Sequence, residues 1–180
     1  WTKERQELFD LMVARLTVSA GFSLAWVDNP DWIDFCAEFI HRAKSPSRKT
    51  LTSRIIPKAV KRLRTAAEAS ARGHLATVQA DGWTGLNKHH LLAFMIASDG
   101  KIHTVRVDDT SNERKTADLL LVRLEAAIQE VEERFGVKVA AVCTDASGEC
   151  RKARRELLKR CPYLIVLDCY AHQVCCEDSL

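Results

Sequence analysis

Two aspartates each close a short apolar run. Asp81 ends Ala76-Thr77-Val78-Gln79-Ala80 and is followed by Gly82-Trp83-Thr84, while Asp145 ends Val139-Ala140-Ala141-Val142-Cys143-Thr144. Two carboxylates ~4 Å apart repel by ~4 kcal/mol at an effective dielectric of about 20. Such a pair takes a proton or holds a cation between its members. Mg2+ suits the second role, because it prefers oxygen ligands and keeps water and phosphate oxygens in its shell. A pair of such ions clamps the attacking and leaving oxygens of a phosphodiester. Taken singly, aspartates at strand ends are commonplace turn residues, so the chemistry depends on whether the fold brings these two together.

The elements that must do so can be read in order. Residues 2–20 form a helix with Leu8, Leu11, Met12 and Leu16 on one side and Gly21 as its stop. Asn29-Pro30 opens a second helix, whose stripe of Trp32, Phe35, Cys36, Phe39 and Ile40 reads as core. After the loop Ser45-Pro46-Ser47, Thr50 or Thr52 is expected to cap a long basic helix that ends near Arg72-Gly73, with Pro57 kinking it or marking a later start. From Leu75 the period changes to that of strands: Leu75–Ala80, His90–Ala97, an Asp99-Gly100 hairpin turn, then Ile102–Val107. Thr110-Ser111-Asn112-Glu113 matches a capping box before a helix closed by Gly136. A fourth strand over 137–144, a helix opened by Ser147-Gly148 and a fifth strand over 163–167 complete the chain.

The order is β-β-β-α-β-α-β. The expected fold is α/β, a ribonuclease H-like mixed five-stranded sheet over residues 73–180, preceded by an all-helical basic segment over 1–72. In that arrangement the fourth strand lies beside the first, parallel to it, and the right-handed crossover rule fixes how it gets there. Neighbouring strands are ~4.8 Å apart, which would make Asp81 and Asp145 near neighbours. Asp168, at the end of the fifth strand, would lie close to Asp145.

Composition sets the partners. The chain has 180 residues, 47% of them hydrophobic, enough for a sizeable core. No run of eighteen apolar residues exists, so no membrane partner is expected. Seven cysteines without the regular spacing of a secreted scaffold read as free thiols. Cys169, Cys175 and Cys176 with His172 crowd together too closely in sequence for a zinc site. The net charge is only +3, but Arg48, Lys49, Arg54, Lys58, Lys61, Arg62 and Arg64 fall within an acid-free stretch. Such a stretch binds polyanions such as DNA, or is a solvated helix face. The second cluster, Arg151 to Arg160, reads as solvated. His89 and His90 read as strand-end residues, and Trp83 as a packing anchor. The first residue is Trp1 rather than Met, which suggests a fragment.

Four stretches, Ser45-Pro46-Ser47-Arg48-Lys49-Thr50-Leu51, Asp81-Gly82-Trp83-Thr84, Thr144-Asp145-Ala146 and Cys169-Tyr170-Ala171-His172, occur in an order and spacing that resembles the hAT superfamily of transposases, in particular the uncharacterised domain of plant and fungal hAT-like proteins. The resemblance implies metal-dependent DNA cleavage and strand transfer with Mg2+ or Mn2+. It makes Asp81 and Asp145 the first two catalytic acids and metal ligands, and sets Cys169 and His172 near the active site. It further implies DNA as partner, possible homo-oligomers and a nuclear location. The chain departs from the family at Asp145-Ala146-Ser147, where the family has Asp-Asn-Ala, and after His172. The family's third acid, a Glu far downstream, would lie beyond Leu180, so the chain is expected to be catalytically incomplete. The alternative is a non-catalytic DNA-binding or dimerisation module derived from a transposase.

Overall fold

The computed structural model describes residues 1–171. It divides into two compact units, Trp1–Ala66 and Ala67–Leu180. Among the described residues no helix is long and apolar enough to cross a membrane.

The first unit is helical. Helix α1 (Lys3–Ser19) starts where the Thr2 side chain accepts the Arg5 amide, and α2 (Pro30–Phe39) where Asn29 accepts those of Asp31 and Trp32. Between them lies a 3-10 turn, Leu24–Asp28. The core here is small: Val13, Ala14, Val27, Leu51 and Ile55, with Phe9, Trp26, Trp32 and Ile56 against it. The expected stripes are therefore displaced. In α1 the buried line is Val13, Ala14 and Thr17, while Met12 is 59% exposed. Small residues let the helix approach closely, and Trp26 Nε1 donates to Thr17 Oγ1 at 2.8 Å across that contact. In α2, Phe35 and Phe39 are exposed rather than core. They continue a ladder of rings from Trp32, with Phe35 and Phe39 centroids 5.1 Å apart.

The basic helix is capped neither by Thr50 nor by Thr52. Ser47 accepts the Thr50 amide and opens α3 (Arg48–Thr50). A π-helical turn, Leu51–Ile55, follows, then α4 (Ile56–Ala71). Thr52 instead donates its hydroxyl back to Arg48 O. The π turn explains how Pro57 is tolerated. The Ile56 amide bonds Leu51 O, five residues back, so the ladder shifts register just before the residue that has no N–H to give.

The second unit is built on a five-stranded sheet of order β3-β2-β1-β4-β5. Its strands are β1 (Leu75–Thr84), β2 (His90–Ser98), β3 (Lys101–Asp109), β4 (Lys138–Thr144) and β5 (Ile165–Asp168). β1, β2 and β3 pair antiparallel; β4 pairs parallel with β1, and β5 parallel with β4. This is the ribonuclease H-like order. The β2–β3 turn has Asp99 at φ 49° and Gly100 at φ 69°, the two left-handed positions that an Asp-Gly hairpin supplies. Alternation along β1 buries Ala76, Val78 and Ala80 and turns Thr77, Gln79 and Asp81 to the other face. Against the buried face lie α5 (Ala117–Phe135) and α6 (Gly148–Arg160), which close the main core with Leu121, Leu124, Val131, Phe135 and Leu157.

Helix α5 does not start at the expected capping box. Its cap is Thr116, whose side chain accepts the Leu119 amide. Thr110 donates to His90 O instead, and Glu113 grips the Arg123 guanidinium with both oxygens at 2.6 and 2.7 Å. The box residues thus tie a turn to β2 and to α5 rather than opening the helix. At its far end α5 closes at Gly136, φ 61°, where an added Cβ would stand 2.7 Å from Arg72 Nη1.

Candidate active site

The ladder between β1 and β4 ends at Gln79↔Cys143. Asp81 is two residues further on in β1, and Asp145 two residues further on from Cys143. Both acids thus lie at the same step beyond the last pair of two strands that are ~4.8 Å apart where they pair. Asp81 is not at the strand end, as its sequence context suggests. β1 runs on to Thr84, paired with β2, and Asp81 lies opposite Ala93. The acid lies beyond the last β1–β4 pair, where β1 is still paired with β2. A β-bulge between Ala76 and Thr77 brings the residues after it into this register.

Asp145 is positioned through its side chain and through its backbone. Its Oδ1 accepts the Ser147 amide at 2.9 Å, an Asx turn that leads into α6, where Ser147 in turn caps the Cys150 amide. Its carbonyl accepts Arg154 Nη1 at 2.6 Å. The same guanidinium bonds the Thr144 hydroxyl and pairs with Asp168. Arg154 is only 4% exposed. The sequence counted it within a solvated cluster, and the rest of that cluster is solvated: Arg151, Lys152, Arg155, Lys159 and Arg160 are exposed. Arg154 alone turns inward and staples the ends of β4 and β5 together. The signal was present in the period of α6, since Arg154 falls between the buried Ala153 and Leu157. Asp168, across from Thr144 in the β4–β5 ladder, is therefore the counter-ion of Arg154.

Two aspartates just beyond the last pair of adjacent parallel strands would offer hard oxygen donors. Mg2+ and Mn2+ are the ions such oxygen donors suit, because they keep waters in the rest of the shell. Among the described residues no group of three or more His, Cys, Asp or Glu could hold a metal. Cys169 is anchored next to the site by its amide, which donates to Thr144 O at 2.8 Å; His172 lies outside the described residues. Five cysteines, Cys36, Cys143, Cys150, Cys161 and Cys169, are free thiols. Burial pushes the Cys143 and Cys150 thiols up from their ordinary values, which disfavours their thiolates.

Beside Asp145 opens a cleft of about 260 Å³, bounded by the ends of β1 and β2 and by the first turns of α5 and α6. Trp83 is 44% exposed at this cleft, so it is a wall residue rather than a buried packing anchor. At the end of β3, the Asp109 carboxylate accepts the Ser111 amide at 3.0 Å and hydroxyl and meets His89 Nδ1 at 2.6 Å. His90 Nδ1 pairs with Thr84 Oγ1 at 2.9 Å. Both histidines thus organise the strand ends. The Ser111 bonds, with His89 after them, hold the Asp109 carboxyl at about 2, below its ordinary 3.8. A depressed carboxyl adds stability above pH 3.8 that is lost as the pH falls through about 2. In wild type the Ser111 amide resonance is therefore expected to titrate near pH 2, and this step should vanish in Asp109→Asn. A midpoint near 4 would contradict the bonding.

In the helical unit the seven expected DNA-contacting cations, Arg48, Lys49, Arg54, Lys58, Lys61, Arg62 and Arg64, are all exposed. Two of them are paired: Arg54 with Asp10 at 3.6 Å and Lys58 with Glu7 at 3.0 Å.

Residues 46–176 match the family model described as "Domain of unknown function (DUF659)". No curated protein sequence matches the chain. Among solved structures it is similar to a Ppx/GppA family protein of Aquifex aeolicus, at 18% identity over 53% of this chain and 34% of that one, with a TM-score of 0.31. It is also similar to human ENDOV, at 14% identity over 49% of this chain and 46% of that one, with a TM-score of 0.30. The chain thus spans less than half the length of these structures.

Proposed function

The chain belongs to the DUF659 family, a family found in hAT-like transposases, and from that premise we propose that it is a transposase-derived, ribonuclease H-like domain acting on DNA through a divalent metal at Asp81 and Asp145. The observation that supports this is the parallel β1–β4 pairing, whose last pair, Gln79 with Cys143, lies two residues before each aspartate. Asp81 and Asp145 hold the ion, Mg2+ or Mn2+, and the ion supplies polarisation of a phosphodiester oxygen when bound. Arg154 keeps the Asp145 backbone in place, and the Asx turn through Ser147 fixes its carboxylate. The exposed cations of 48–64 bind the DNA backbone, and a protein with this role works in the nucleus. Asp81 and Asp145 are the two acids this reading assigns to strand cleavage and transfer.

Fluorescence anisotropy with a DNA duplex at several salt concentrations tests the reading. Lys61, Arg62 and Arg64 have no acid partner among the described residues, so the variant Lys61→Gln/Arg62→Gln/Arg64→Gln removes cations without breaking an ion pair. The slope of log affinity against log salt is expected to fall by about 3. An unchanged slope, or no binding by the wild type, would count against DNA as the partner.

A further inference from the structure

The core of the helical unit takes only one side of α1. Val13, Ala14 and Thr17 are buried, while Leu8, Met12 and Leu16 stay outside at 47%, 59% and 45% exposure. At 3.6 residues per turn, Glu4, Leu8, Leu11 and Arg15 fall within about 60° of one another, on the side away from that core. Their spacing, alternating steps of four and three residues, is that of a coiled-coil seam. The two inner places are leucines, and the two outer places carry opposite charges.

The other acids of α1 are already taken. Glu7 pairs with Lys58 at 3.0 Å and Asp10 with Arg54 at 3.6 Å. Glu4 and Arg15 are exposed and make no ion pair among the described residues. Their row is its own complement. A two-fold axis between antiparallel α1 helices that sets Leu8 of one copy against Leu11 of the other also sets Glu4 against Arg15, once at each end. Moving the register so that Leu8 meets Met12 would set Arg5 against Arg15, and a parallel pair would set each charge against itself. An unrelated partner would have to match this row by chance, whereas a second copy matches it by symmetry. A helix of 17 residues is about 25 Å long, a short contact for a stable interface, so the pairing is expected to be weak.

We infer that α1 is a self-association surface, on which two copies of this chain pair antiparallel through Leu8, Leu11 and Met12, with Glu4 of each copy against Arg15 of the other. The pairing needs neither a metal nor DNA, so it stands or falls separately from the function proposed above.

Sedimentation of the chain over a concentration series tests it. Wild type should pass from monomer to dimer as its concentration rises through the micromolar range. Glu4→Arg and Arg15→Glu each put like charges at both ends of the seam, and each should weaken association at least about tenfold. Mixed with one another, the two variants should dimerise again, because every facing pair is then of opposite sign. The doubly reversed Glu4→Arg/Arg15→Glu should recover in the same way, and Leu8→Glu should stay monomeric. All these positions lie on the solvent side of α1, so circular dichroism should show unchanged helix content, and rescue on mixing excludes misfolding as the cause of the loss. A wild type that stays monomeric throughout, association that persists unchanged in Leu8→Glu, or charge reversals that have no effect or are not rescued on mixing, overturns the inference.

Discussion

Arg154→Ala is expected to lower the stability of the sheet unit by about 3 kcal/mol, the low end of the range for breaking a buried ion pair. The reason is its place. Its guanidinium is 5% exposed and serves the Thr144 hydroxyl, the Asp145 carbonyl and the Asp168 carboxylate at once. Truncation takes the guanidinium bonds from the first two and leaves the 3.1 Å bond from the Thr144 hydroxyl to the Asp145 carbonyl. Asp168 is 36% exposed, so water recovers part of its loss, and this sets the figure at the low end. For a unit of this size the melting temperature should fall by about 10–20 °C. Arg154→Lys keeps the charge but not the fork, and should give an intermediate loss. The functional consequence separates this from general destabilisation. At a temperature where Arg154→Lys remains folded, its Mn2+ affinity should still be reduced, because the Asp145 carbonyl has lost the guanidinium bond that holds it. An Arg154→Lys protein with wild-type metal affinity would show that Arg154 supports the fold alone.

Phe94→Ala is the second large effect, at about 3–5 kcal/mol. Phe94 is fully buried at the middle of β2, across from Ala80 on one side and Arg106 on the other, with the Arg106 guanidinium 4.9 Å from the ring centroid. Its side chain fills the space beneath the residue that precedes Asp81. The cavity cannot collapse easily, because Arg106 is held by Asp108 and Glu130, and Glu130 by Arg134. Phe94→Leu, which leaves a smaller cavity, should recover more than half of the loss in chemical denaturation. Equal losses for the two variants would mean that Phe94 acts through the Arg106 contact and not through volume.

Much of this architecture was legible from period and punctuation. The Asp99-Gly100 turn, the Asn29-Pro30 cap, the Gly136 stop and the Ser147 cap all stand where local chemistry places them, because each is decided within a few residues. The neighbouring of β1 and β4 followed from element order and crossover handedness. What was not legible was decided by partners distant in sequence. Thr110 and Glu113 form a good capping box, yet His90 and Arg123 claim them. The Leu8, Met12 and Leu16 stripe of α1 has a proper period, but the side that packs is the one with small residues. Arg154 looked like its charged neighbours, and only Thr144, Asp145 and Asp168 on two other strands turn it inward. At the candidate site the two acids could be named from sequence, whereas the Asx turn, the arginine staple and the cleft could not.

The central claim is that Asp81 and Asp145 share one divalent cation. Mn2+ titrated into the chain by calorimetry, alongside thermal unfolding, tests it most directly. Wild type should bind and gain stability that rises with Mn2+, about 2.7 kcal/mol at a hundredfold excess over Kd. Asp81→Asn and Asp145→Asn should each lose that response, while Asp145→Asn keeps an oxygen for the Ser147 amide and so keeps the fold. Mn2+ binding of equal strength in wild type and both variants, or no response in wild type, would contradict the shared site and leave a DNA-binding module without metal chemistry.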